Sequence, residues 1–193
     1  MFKEPEKLRN AKNLLLISVL GLSIYFSACV KDPVIPNEEE VITTLRYTLT
    51  SDSVGVPIVL TFQDLDGDGG NAPLISGGTL AANTTYFASL ELLNEVENPA
   101  ENITDEIVAE AEAHQFFFQT TLDGLTVNYE DTDADGNPIG IATKVTTTNA
   151  TSGTITIILK HEPNKTAANV ANGDITNAGG ETDIQVTFAV DVQ

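Results

Sequence analysis

The sequence contains no tryptophan and one cysteine, Cys29. A single thiol excludes an internal disulfide, so the fold must hold by packing and hydrogen bonds. Basic residues are also scarce. Nine Lys and Arg face 28 Asp and Glu, for a formal net charge of −19. So acidic a chain repels phosphate backbones, which excludes nucleic acid as a partner. Aromatic residues make up 6% of the chain, leaving an aliphatic core. No Gly-x-Ser-x-Gly elbow, phosphate-binding glycine loop or second thiol is present, so the chain carries no enzyme motif and reads as non-catalytic. Carboxylates are plentiful, and their abundance alone does not identify a glycosidase-like pair.

Only one long apolar run exists, LLLISVLGLSIYFSA from Leu14 to Ala28. Lys3, Lys7, Arg9 and Lys12 precede it, so residues 1–28 read as a signal peptide. The run is short for a spanning helix, which needs about 20 apolar residues. It closes on Phe26-Ser27-Ala28-Cys29. Small residues before a lone cysteine resemble a bacterial lipobox, in which Cys29 becomes the lipidated first residue. Phe26 stands where such boxes usually carry Leu. The alternative is an uncleaved signal anchor, and either would hold the protein at a membrane. Residues 29–40, with two prolines after Cys29 and no hydrophobic period, read as a tether. The domain is expected over 41–193.

Beyond the tether the apolar residues alternate with period two. Leu45, Tyr47 and Leu49 share a face, as do Ile58, Leu60 and Phe62, and Tyr86, Ala88, Leu90 and Leu92. Ile155, Ile157 and Leu159 repeat the pattern, and Ile184, Val186, Phe188, Val190 and Val192 extend it furthest. Such alternation predicts half-buried antiparallel strands. HQFFFQT and LTVNY add two more, and Asp-Gly, Gly-Gly and Asn-Gly pairs separate the runs. The expected fold is all-β, an antiparallel, Ig-like β-sandwich. One short helix is expected in NITDEIVAEAEAH, with Ile103, Ile107, Val108 and Ala111 on one face and Asn102 or Thr104 as cap. Sliding the chain so that Asp64 falls on Asp131 also superposes Leu90 on Ile157 and Leu92 on Leu159, which suggests two related β-modules.

Two loops share an Asp-x-Asp-x-Asp-Gly core: Asp64, Asp66 and Asp68 before Gly69, and Asp131, Asp133 and Asp135 before Gly136. Alternating carboxylates on a tight turn can converge on calcium, which takes six to eight oxygens. The twelfth position of each loop is Ile75 or Ala142, so neither is a full EF-hand. Calcium here would be structural, and a polar turn with Asp bonded to its own amides is the alternative. His114 and His161 are the only histidines, with Glu110 four residues before one and Glu162 beside the other. If the strand ends meet, these four side chains could hold a transition metal, or the two imidazoles a haem.

The runs EEEVITTLRYTLT, LTFQDLDGDGG, GTLAANTTY, HQFFFQ, DTDADGNPIG, HEPNK and DITNAGGETDI resemble a family of small acidic lipoproteins of Bacteroidota across nearly all of the mature chain. Some members carry the label "type 1 periplasmic binding fold". That label implies two lobes of alternating strand and helix, whereas the residues imply strands with one helix. Lys31-Asp32 behind Cys29 resembles the surface-export signal of lipoproteins in that phylum, and Asp52-Ser53-Val54 resembles its short O-glycosylation acceptor. The resemblance implies an outer-membrane lipoprotein, anchored through Cys29 and exposed at the surface or facing the periplasm. The expected role is a non-catalytic binding or accessory module with an outer-membrane protein as partner, and the alternative is metal or haem handling for an outer-membrane receptor through His114 and His161.

Overall fold

The computed structural model describes residues 40–67 and 70–193. The leader, Cys29, the tether up to residue 39, and Asp68 therefore lie outside the described residues. From Glu40 on, the chain forms a β-sandwich of two sheets. Strands β1 (Thr44–Thr50), β2 (Ile58–Gln63), β3 (Leu74–Ser76), β4 (Gly78–Leu80) and β5 (Thr85–Asn94) lead into β6 (Glu101–Asn102) and helix α1 (Ile103–Ala109). There follow β7 (His114–Thr120), β8 (Thr126–Tyr129), β9 (Ala142–Thr146), β10 (Thr151–His161) and β11 (Glu181–Val192). One sheet runs β3-β2-β1-β5-β9-β8, with β6 beside β5; the other runs β4-β11-β10-β7. Pairing is antiparallel except at β4 and β11, which run parallel, so the second sheet is mixed. The bilobed α/β fold implied by the family label is not the one seen.

Period-two alternation builds the core. Leu45, Tyr47, Leu49, Tyr86 and Leu92 from the first sheet meet Phe116, Ile155, Ile157, Leu159 and Phe188 from the second, all fully buried. The Tyr47 hydroxyl, deep in this layer, is satisfied by Thr143 Oγ1 at 2.7 Å, and burial raises its pKa well above the usual phenol value. Helix α1 starts where Asn102 accepts from the Thr104 amide, and Thr104 Oγ1 is bonded to the Leu92 amide at 2.8 Å. Ile103 and Ile107 face inward, but Val108 is exposed, because it lies about 100° round the helix from Ile107 and so off the buried face.

The residues between β10 and β11 fold back over the outer face of the second sheet. Val170 and Ala178, with Ala167 and Ile175, cover Phe117 and Ile158 in a second, smaller core. Gln115 secures this cover by donating from Nε2 to the Val170 carbonyl at 3.0 Å. Strands β9, β3 and β4 were not visible as alternating runs. The offset that lays Asp64 on Asp131 does carry β2 onto β8 and β5 onto β10, yet β5 and β10 belong to opposite sheets. The halves share one core and form a single sandwich. Among the described residues, no helix is long and apolar enough to cross a membrane.

Candidate functional site

The second Asp loop is organised by protein donors. Asp131 accepts from the Gly140 and Ala142 amides at 2.7 and 2.8 Å. Asp133 Oδ1 accepts from the Asp135 and Asn137 amides, and its Oδ2 meets Lys165 Nζ at 2.9 Å. Lys165 is itself buried, and also donates to the Ala111 and Pro138 carbonyls. Burial pushes the Asp133 carboxyl up, but the Lys165 hydrogen bond and the Asn137 amide outweigh it and hold the group below its ordinary value. The ammonium thus sits among oxygens where a calcium ion was expected, and Asp135 points to solvent. In the first loop Asp64 accepts from the Gly67 amide, and Asp66 from the Asn71 amide and side chain. Both act as turn-forming carboxylates, the self-bonded arrangement that is the alternative to calcium, while Asp68 lies outside the described residues.

The two histidines do meet. They are directly paired across β7 and β10, and their rings stack with centroids 4.8 Å apart and planes 13° from parallel. Side-by-side stacking does not oppose two imidazoles across an iron, so the haem version fails on geometry. Neither expected glutamate joins them. Glu162 turns outward from a left-handed backbone (φ 49°), and Glu110 contributes only its carbonyl, 3.1 Å from His114 Nδ1.

The carboxylates that do converge are Glu40 and Asp183. Their oxygens and a ring nitrogen of His114 lie within 4.8 Å of one another, and no other His/Cys/Asp/Glu set of three does so among the described residues. Glu40 leads into β1. Asp183 is the extra residue of a β-bulge: Leu159 pairs with Ile184 and Lys160 with Thr182, leaving Asp183 out of register. A strict period-two reading does not find it, and Glu40 falls within the expected tether.

The electrostatics of this trio are unbalanced. A carbonyl only accepts, so His114 Nδ1 carries hydrogen toward Glu110 O. In the neutral ring that leaves the Nε2 lone pair facing carboxylates. Nε2 is 3.2 Å from Glu40 Oε1, within ion-pair range but without hydrogen-bond geometry. His114 is fully buried, and Glu40 Oε2 and Asp183 Oδ2 also lack hydrogen-bond partners. Asp183 is pushed up to about 6, first by burial and then by the Glu40 charge, against the pull of His114, His161 and Lys160.

A groove of about 390 Å³ opens at the same end of the sandwich. Val41, Leu65 and Val96 stand 59%, 52% and 62% exposed around it, Phe62 and Ile184 form its base, and Asp64 and Asp66 edge it. Comparison with protein-family models, curated proteins and solved structures returned no match.

Proposed function

We propose that the chain is a lipid-anchored, non-catalytic binding module of the cell envelope, held at the outer membrane through Cys29, that docks an envelope protein at the Val41–Leu65–Val96 groove. The groove carries the reading: three large apolar side chains stand exposed together at one end of a rigid sandwich, a pattern typical of an interaction site. Its acidic edge and the net charge of −19 select a partner segment with an apolar tip and basic flanks.

A photo-crosslinking residue at Val96 in cells should yield one discrete protein adduct. Asp64→Lys with Asp66→Lys should abolish it. The same adduct from Phe87, at the opposite end of β5, or an undiminished adduct in the charge-reversed chain, would sink the docking assignment. With the leader exchanged for one that is cleaved without lipidation, Cys29→Ser should shift the protein from the membrane to the soluble fraction; membrane retention of that cleaved chain would count against the anchor.

A second reading, ion handling, is favoured by the buried His114 Nε2 set between two carboxylates.

A further inference from the structure

We infer that Glu40, His114 and Asp183 form a site for one divalent ion of the zinc class, and that this ion staples the two sheets of the sandwich at one end. The inference rests on the ion-binding reading and is independent of partner docking. The donor set is mixed nitrogen and oxygen, which suits zinc and its first-row neighbours better than calcium, an all-oxygen cation. The second shell is already in place: a metal-bound imidazole typically donates its other N–H to a carbonyl or carboxylate, and His114 Nδ1 does so to Glu110 O. That contact aims the Nε2 lone pair at Glu40 and Asp183. The 3.2 Å from Nε2 to Glu40 Oε1 matches the separation of about 3.3 Å between two ligands of a tetrahedral zinc ion. Asp183, no further than 4.8 Å from either, completes the set with a small inward shift.

The staple follows from where the three residues sit. Glu40 runs into β1, at the centre of the first sheet, while His114 and Asp183 belong to β7 and β11 of the second. An ion bonded to all three joins the sheets directly, in a chain whose single cysteine allows no disulfide to do so. Bringing two carboxylates together is unfavourable without a cation, and the ion offsets that repulsion.

The test uses the full chain in detergent, purified without chelator, with zinc chloride as the probe. About one zinc per chain should be found by elemental analysis, and zinc should raise the melting temperature relative to EDTA. Glu40→Gln and Asp183→Asn should each remove that rise, and Glu110→Gln and Glu162→Gln should keep it. Asp183→Asn should also melt higher than wild type in EDTA, since it relieves the repulsion; this shows a folded variant rather than a damaged one. No zinc-dependent rise in the wild type, or an equal rise in Glu40→Gln and Asp183→Asn, would overturn the site and the ion-binding reading together. Hydrogen exchange at residues 41–44 should slow on zinc addition. Stoichiometric zinc with unchanged exchange there would leave ion binding intact and overturn the staple.

Discussion

Lys165 and Asp133 form a buried pair whose side chains are 5% and 1% exposed, and every proton of the ammonium has an oxygen to meet. Removing one partner of such a pair strands the other in a dry site. Lys165→Met is expected to cost about 3–5 kcal/mol of stability, read by urea denaturation. Asp133→Asn should cost a similar amount, because its one amide oxygen cannot accept from both Lys165 and the loop amides, and the Lys165 ammonium stays buried without a counter-charge. The pH dependence has a definite sign. Asp133 is held below its ordinary value in the folded protein, so its contribution is complete above about pH 4 and is lost as pH falls through the folded value. Acid titration of the melting temperature should therefore show a steeper fall below pH 4 in the wild type than in Asp133→Asn. Sequence alone does not separate a self-bonded Asp loop from a calcium site. The Asp spacing is the same for both uses, and Lys165 lies too far along the chain for its approach to be visible.

Strands with strict alternation were legible because one face of each is buried and the other is wet. β1, β5 and β11 are the clearest cases. Legibility failed where a tertiary contact overrides the period. In β7 both Phe116 and Phe117 are buried, one in the main core and the other beneath the segment that crosses the outer face. Strands β3 and β4 have three residues each, too short to alternate. The bulge at Asp183 breaks the parity that made β11 easy to read, and the candidate site depends on that break. The covering segment yields its own prediction. Phe117→Ala should cost about 3–5 kcal/mol as a buried aromatic truncation, and should expose residues 163–178 to limited proteolysis at temperatures where β1 and β5 stay protected. Val108→Ser, on the exposed side of α1, should change stability by less than about 0.5 kcal/mol in the same denaturation assay.

Charge acts on the molecule as a whole. With a net charge of −19, distributed self-repulsion opposes the compact state and weakens as salt screens it. Raising monovalent salt from about 0.01 M to about 0.15 M shortens the screening length from about 30 Å to about 8 Å, and should raise the melting temperature. A melt unaffected by salt would mean that the acids sit too far apart to matter. The fold class was open to a reader of the sequence because composition and period agree across the chain. The site was not, because it joins residues 40, 114 and 183, and no local pattern records that meeting. The loop at 131–138 carries one consequence for the protein's surroundings. Its organising cation is a side chain of the same molecule, so the local concentration of that cation is fixed by chain connectivity and not by the medium. Dilution, chelators and swings in external calcium cannot wash Lys165 out, and its burial shields the pair from salt screening.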